Sequence, residues 1–593
     1  MGAVAHDGGT MFRVWAPHAE AVFVTGTFDD WAGTRHPLGR DGDGSTGSWS
    51  TDVEDVIPGD EYKFIVRTTD GDQFRLDPYA RQVTSSVGNA VVYDPDAFDW
   101  GAGEFHVPAW NDLVIYEMHI GTFRTGDNGR GTFDRAIGKL VYLRDLGVGA
   151  IQVMPPFEFA GSVSWGYNPA HLFAIESSYG GPDGFKRFVR AAHEHGIAVI
   201  VDVVYNHIGP SDLDLWRFDG WVENDRGGIY FYSDDRATTP WGDTRPDYGR
   251  GEVRTFLRDN ALTWLEDFRA DGLRFDATVH IRTVDGLPDN QLSALPDGWS
   301  FMAWINDEID ARQPSKLTIA EDLQNDPAVV APTQDGGLGF GAQWDIGFVR
   351  PIRHALTVPD DADRDIAAVA AALVGKGRGP ARTRVVYTES HDDVANGRSR
   401  LPEEIRPGDA ASWWSKKRST LGSALVLTAP GIPMLFQGQE LLEDTWFDGN
   451  EPLDWSKVDT NAGILRLHRD LIRLRRNNDD TTRGLRGESI NILRADDERK
   501  LLAYHRWADG GPRDDVVVIA NLSDEGICDL RLGLPRAGRW RVRLNTDSAV
   551  YDEGFGDHPV LDTWTQPEPA DECLQSALIS VGPYSVAFLS QDD

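Results

Sequence analysis

The chain opens with short β-rich runs. FRVWAP, AVFVTGTF, GSWSTDV and EYKFIVRT are separated by Gly, Asp and Pro turns at the regular spacing of a β-sandwich. The pattern predicts an all-β unit over residues 1–105. Trp15, Trp31 and Trp49 punctuate it. One expectation is that most of them fill the sandwich core; the alternative is that one or two are exposed as flat stacking surfaces.

The pattern then changes to strands alternating with amphipathic helices, which predicts a unit over 106–480. VIYEMHIG is a strand, and TFDRAIGKLVYLRDLG is a helix closing on Gly. AIQVMPP is a strand followed by the helix GPDGFKRFVRAAHEHG. IAVIVDVVYN is a nearly continuous apolar run, as a parallel strand buried on both faces requires. A loop-rich insertion over 208–250 follows. The next helix carries Val253, Phe256, Leu257, Trp264, Leu265 and Phe268 on one face. GLRFDA, LTIAED, RVVYTES and IPMLFQG are further strands, and an eighth, weaker one is expected near Ala342 to Asp345. The helix ILRLHRDLIRLRR, striped by Ile464, Leu467, Leu471 and Leu474, closes the series. Eight β/α units predict a closed (β/α)₈ TIM barrel rather than an open sheet. LLAYHRW, DDVVVIANLS, RWRVRLNT and SVAFLS then predict a C-terminal β-sandwich over 481–593.

The length of 593 residues agrees with several cores rather than one. The formal net charge of −36 repels nucleic acid and anionic membranes, so neither is an expected partner. A neutral sugar polymer suffers no such repulsion. Only nine residues are Lys, a bias that suits a salty cytoplasm and equally a GC-rich genome. Cys528 and Cys573 form neither a disulfide framework nor a metal-ligand cluster. The start, MGAVAHDGGT, lacks the basic and apolar stretches of a signal peptide, and no stretch is long and apolar enough to span a membrane. The expectation is a reduced, cytoplasmic protein of unassigned oligomeric state.

In a (β/α)₈ barrel the working residues stand at the C-terminal ends of the strands. Here those ends are rich in carboxylates: Asp202, Asn206 and His207 on the third strand, Arg274 and Asp276 on the fourth, Glu321 on the fifth, and His391, Asp392 and Asp393 on the seventh. Converging carboxylates repel one another, so a chemical reason is needed to keep them together. Retaining glycoside chemistry needs two carboxyl groups about 5 to 5.5 Å apart, one to attack the anomeric carbon and one to shuttle a proton. Neighbouring strands lie about 4.8 Å apart, so residues ending strands four and five can meet at that separation.

DVVYNH (202–207), GLRFDAT (272–278), IAED (319–322) and ESHDD (389–393) resemble, in order, the four short sequence regions of the α-amylase superfamily. PGIPMLFQGQE resembles that family's last barrel strand. VWAPHAEAVFVTGTFDDW and YKFIV…LDPYA resemble the carbohydrate-binding sandwich that precedes the barrel in its glycogen-branching and trehalose-forming members. The resemblance implies that Asp276 is the nucleophile, Glu321 the general acid/base and Asp392 the transition-state-stabilising carboxylate. It implies that Arg274 keeps the nucleophile ionised and that His207 and His391 hydrogen-bond the sugar at the cleavage point. Tyr167, in SWGYN, would lie under that sugar, Asp202 and Asn206 would support the site, and His280 would touch the next sugar.

Ser390 departs from the Asn found before His-Asp in much of the family; ESHD occurs in branching enzymes. YNHIGP, the TPWG at 239–242 and EDLQNDP resemble malto-oligosyltrehalose trehalohydrolases instead. The resemblance therefore implies α-1,4-glucan cleavage through a glycosyl-enzyme, with transfer to a 6-hydroxyl, as in 1,4-α-glucan branching enzymes, ahead of hydrolysis. A non-catalytic glucan-binding role is disfavoured by the intact carboxylate trio. No cofactor is expected: some relatives bind calcium near the third strand, but 208–250 shows no calcium-loop spacing.

Overall fold

The computed structural model describes residues 1–593 apart from 128. Eight parallel strands close into a barrel. They are β1 (Ile115–Met118), β2 (Ala150–Val153), β3 (Ala198–Val203), β4 (Gly272–Phe275), β5 (Leu317–Ala320), β6 (Ala342–Trp344), β7 (Arg384–Val386) and β8 (Ile432–Phe436). The weak eighth strand expected near Ala342 is thus the sixth in order. It is only three residues long, which explains its faint signal. No α-helix lies between β5 and β6 among the described residues; 3₁₀ turns at Pro327–Val329 and Thr333–Asp335 make that connection.

Side chains alternate along a strand, and one parity faces the barrel axis. Ile115, Ala150, Ala198, Ile200, Ile319, Ala342, Trp344, Val385 and Met434 belong to one buried cluster that fills the interior. Tyr116, Ile151, Val199, Val201, Leu273 and Leu435, of the other parity, pack with the surrounding helices in a separate cluster. The same inward parity, continued to the C-terminal ends, brings up Glu117, Gln152, Asp202, Arg274, Asp276 and Glu321. Apolar layers thus floor the barrel and a polar layer caps it. The helices behave as their stripes require: Val253, Phe256, Leu257, Trp264 and Leu265 are buried on Gly251–Glu266, and Ile464, Leu467, Leu471 and Leu474 on Ala462–Arg475.

The N-terminal part is two facing sheets. Gly2–His6, Gly9–Trp15, Gly39–Arg40 and Ser48–Glu54 make one; Ala21–Gly26, His36–Pro37, Glu61–Thr68, Gly71–Arg75 and Ala90–Val91 make the other. Trp49 is buried and donates its indole N–H to the Ala16 carbonyl at 2.9 Å. Trp15 is buried too, but against the barrel: its ring meets Tyr230 edge-on, with centroids 5.4 Å apart. Trp31 is the exposed member of the trio.

The insertion over 208–250 contains little regular structure and takes its order from the sandwich. Arg75 donates to the carbonyls of Arg217 and Phe218, the backbone N–H of Leu76 donates to Asp214, and His18 bonds Asp219. At the other end, Ser489–Asp496, Leu501–Trp507, Val516–Asn521, Ser585–Ser590, Arg539–Asn545 and Thr563–Trp564 form a six-stranded sheet. The hairpin-like pair Ile527–Leu534 and Gln575–Val581 covers it through Leu530, Leu532, Ala577 and Ile579. A buried ion pair, Lys417 Nζ to Asp547 Oδ1 at 2.6 Å, ties this unit to the barrel helix Trp413–Thr428.

Candidate active site

All ten residues singled out from the sequence come together at the C-terminal mouth of the barrel. Asp202 and Arg274 are direct partners in the β3–β4 register. Phe275 and Ala320 are partners in the β4–β5 register, so the next residues, Asp276 and Glu321, leave the two strands side by side. The ladder continues into them: Asp276 N–H donates to the Val203 carbonyl, and Glu321 N–H to the Phe275 carbonyl, at 2.9 and 3.0 Å.

Arg274, fully buried, organises the carboxylates. Its Nη1 donates to both oxygens of Asp202 at 2.8 and 2.7 Å and to Asp276 Oδ1 at 2.9 Å. Its Nη2 lies 2.8 Å from Glu321 Oε2 as a charge contact without hydrogen-bond alignment. The guanidinium also sits 4.4 Å over the Trp344 ring, which walls it from below. Asp276 and Glu321 thus share one cation. Ala277 holds a left-handed backbone conformation (φ 40°) and turns its N–H onto Glu321 Oε2 at 2.7 Å. That conformation is uncommon for a residue with a Cβ, and it lies directly after Asp276.

The environment separates the two carboxyl groups. Burial pushes Glu321 up to about 8; Arg274 opposes this, while the charges of Asp276 and Asp392 add to it. Glu321 therefore holds a proton at neutral pH. Asp276 instead accepts charge-assisted and amide hydrogen bonds, from Arg274 at 2.9 Å and from Asn206 at 2.7 Å. Burial likewise pushes Asp202 up to about 7 against the pull of Arg274.

The two site histidines are opposites. Burial drives His207 down to about 4, so its ring is neutral. Its Nδ1 bonds Asn206 Oδ1, and its face stacks on Trp241 with centroids 4.7 Å apart. Burial also acts against a charged His391, but Asp392 and Glu117 outweigh it and raise the ring to about 10. Tyr167 stacks on His391 at 4.9 Å and donates its hydroxyl to Asp202 at 2.7 Å. Gly166 positions Tyr167: at φ 96° a Cβ there would fall 2.0 Å from the Pro155 carbonyl oxygen. Asp392 stands at the rim, its side chain 46% exposed and anchored by Asn396. His280 faces Trp241 edge-on at 5.1 Å, with its Nδ1 buried and unpartnered. Ser390 turns inward, donating its hydroxyl to Asp393 at 2.9 Å, so it shapes the loop rather than the pocket surface.

Three members of the site were not expected from its carboxylate pattern. Glu117, at the end of β1, is wholly buried against His391; its signal is a lone acid inside the apolar run IYEM. Trp344 belongs to the faint strand β6. Trp241 lies in TPWG, but only the fold carries that segment onto His207. Among the described residues, no group of three or more His, Cys, Asp or Glu converges as a metal-holding cluster.

Family profiles match three parts of the chain: carbohydrate-binding module 48 (isoamylase N-terminal domain) at residues 1–80, the α-amylase catalytic domain at 121–217, and the α-amylase C-terminal all-β domain at 492–592. The 1,4-α-glucan branching enzyme GlgB of Corynebacterium jeikeium is 32% identical over 94% of this chain and 78% of its own length. GlgB of Rhodospirillum rubrum is 32% identical over 100% of this chain and 82% of its own. A solved pullulanase from Anoxybacillus sp. LM18-11, complexed with maltotetraose, superposes with a TM-score of 0.76 at 22% identity, covering 100% of this chain and 87% of that one. A type I pullulanase from Bacillus subtilis, complexed with maltose, gives the same score and identity with 85% of that chain covered. The eight-stranded barrel, the flanking β units and relatives of this identity along nearly the whole chain lead to one conclusion: the chain belongs to the 1,4-α-glucan branching enzyme family of the α-amylase superfamily.

Proposed function

We propose that the chain is a retaining 1,4-α-glucan branching enzyme. In the first step an Asp276 oxygen attacks the anomeric carbon while the bond to the leaving O4 breaks. Glu321 gives its proton to that O4, and the departing chain leaves as a neutral alcohol. The glycosyl group stays on Asp276 as an ester. In the second step the 6-hydroxyl of an acceptor glucan attacks the same carbon, Glu321 takes back a proton, and Asp276 is released as carboxylate. Arg274 keeps Asp276 negative before attack. Asp392, Tyr167, His207 and His391 hold the sugar, Asp202 and Asn206 support the site, and His280 reaches the next sugar. The two carboxyl groups supply both nucleophile and proton, so this reading calls for no cofactor. The acidic chain and its two unpaired cysteines support, on the same reading, a cytoplasmic location.

One observation carries the chemistry: Asp276 and Glu321 leave adjacent strands beside a single guanidinium, yet burial keeps a proton on Glu321. The branching-enzyme relatives, matched over 94% and 100% of this chain, favour transfer over hydrolysis. The test is amylose followed by iodine colour, reducing ends and α-1,6 linkages together. Branching lowers the colour and creates α-1,6 linkages with little gain in reducing ends. Reducing ends rising with colour loss and no α-1,6 linkages would identify a hydrolase.

A second reading rests on Trp241. This residue of the trehalohydrolase-like TPWG segment stacks on His207 and faces His280, inside the site rather than on a remote loop. Release of free trehalose from maltooligosyl-trehalose would establish that alternative.

A further inference from the structure

The mouth of the barrel holds two cations among its carboxylates. Arg274 serves Asp202, Asp276 and Glu321. His391 faces Asp392 through Nε2 at 3.6 Å and Glu117 through Nδ1 at 2.7 Å. Glu117 does nothing else that chemistry requires. Its side chain is fully buried, and one oxygen accepts from the backbone N–H of His391 at 3.0 Å. The other meets His391 Nδ1 and accepts from Gln152 Nε2 at 3.4 Å. It is reached from β1, yet its partner follows β7, so β8 lies between them in the barrel order. A buried carboxylate needs a partner to remain in place, and both its oxygens converge on one residue.

We infer that Glu117 is a positioning residue for the reaction: its carboxylate fixes the His391 ring with Nδ1–H turned into the barrel and Nε2–H turned out toward Asp392 and the bound sugar. This rests on the reading of the pocket as the glucan-cleaving site. A carboxylate behind an imidazole sets which nitrogen carries the outward proton and which way the ring points. Other ionisable side chains meet His391 from several elements: Asp392 on its own segment, Arg274 from β4, Tyr167 at 3.5 Å from the loop after β2, and His119 after β1. Arg274 opposes positive charge on the ring; His119, driven down to about 4 chiefly by burial, is neutral beside it. Glu117 and Asp392 are the two groups that favour it, and only Glu117 is shielded from solvent and substrate. The consequence is an outward N–H that is present throughout the neutral range, whatever sugar lies in the pocket. The ring also stays aligned under Tyr167, whose face it stacks.

The test is Glu117→Gln in the full chain, which keeps the shape and removes the charge. Turnover on amylose is expected to fall about 10- to 100-fold with KM changed by less than about threefold, as for partners that orient an active-site imidazole. A new loss of activity is expected as pH rises through the neutral range, where an unassisted His391 sheds its proton. His391→Gln, and the double variant, should lose no more than the larger single effect. An unchanged pH profile with additive losses would overturn the inference. Should Glu117→Gln fail to fold, ¹⁵N-histidine spectra of the parent decide it, with His391→Gln giving the assignment. A doubly protonated His391 ring persisting through pH 8 supports the inference, and a ring neutral at pH 8 overturns it. Asp276→Asn is run beside these: if it stays active, the reading of the pocket fails, separately from the role of Glu117.

Discussion

The Asn206 amide donates to Asp276 twice, to its backbone carbonyl at 2.8 Å and to its carboxylate Oδ2 at 2.7 Å. With Arg274 on the other oxygen, the carboxylate has no freedom to swing. Asn206→Ala removes one of two hydrogen bonds to a charged group, a loss of about 1.5 to 3 kcal/mol. If that interaction is felt in the transition state, kcat/KM on amylose falls roughly 10- to 100-fold. Asp276→Asn and Glu321→Gln should each fall by several orders of magnitude, because they delete the nucleophile and the proton donor. Circular dichroism should show all three folded. Activity within about tenfold of the parent for either carboxylate variant would remove the proposed roles.

The proton on Glu321 has two measurable effects. Activity should fall as pH rises through about 8, where the general acid ionises. Stability should fall earlier, as pH rises from about 4.3 to about 8. The folded state holds this proton more tightly than the unfolded chain, whose Glu titrates at about 4.3. Between those values the folded state binds more protons, so raising the pH lowers the free energy of unfolding. Glu321→Gln abolishes that titration. Its melting temperature relative to the parent should therefore be higher at pH 9 than at pH 5. An equal difference at both pH values would contradict the buried, proton-holding Glu321.

Trp241 is 41% exposed, stacked on His207 and set against His280. An indole with one covered and one open face suits a sugar ring. Trp241→Ala should raise KM for maltooligosaccharides roughly tenfold, an effect of about 1.4 kcal/mol or less for one aromatic contact. It should also lower the ratio of α-1,6 linkages formed to reducing ends released, because an acceptor held less firmly competes less well with water. Unchanged values of both would place Trp241 in a purely structural role.

The Lys417–Asp547 pair has both side chains wholly buried. Asp547 also accepts from the backbone N–H groups of Gly556 and His558, and Lys417 lies 4.6 Å from the centre of the Phe555 ring. Asp547→Ala would leave a buried ammonium unpaired, a cost of about 3 to 5 kcal/mol. Replacing both partners by Met and Leu should cost much less. Thermal melts of the single and double variants compare the two. A double variant as unstable as Asp547→Ala would mean that packing, not charge, dominates there.

The barrel was legible because a parallel strand buried on both faces writes itself as an apolar run; IAVIVDVVYN contains β3 entire, Ala198–Val203. The C-terminal ends of those runs told where polar groups would meet, since residues one step past partners such as Phe275 and Ala320 must be neighbours. What stayed hidden depends on contacts distant along the chain. Glu117 meets a residue 274 positions away, so periodicity records its burial but not its partner. β6 offers too few residues for a period to show. Trp241 was visible in a motif, but its place beside His207 depends on a loop with no regular pattern to extend. The order within that loop comes from elsewhere in the chain, through the carbonyls that Arg75 holds and the carboxylates that meet Leu76 and His18.

That last dependence concerns modularity. The segment over 208–250 leaves the active site directly after His207, carries Trp241 back onto it, and between those points is pinned by the N-terminal sandwich. The sandwich therefore acts as a splint for one wall of the pocket as well as a separate fold. Removing it would not yield a barrel that merely grips long polymers less well; turnover of the shortest substrates should suffer too. The two units are not interchangeable cassettes, and a sandwich exchanged between relatives would have to bring its own insertion with it.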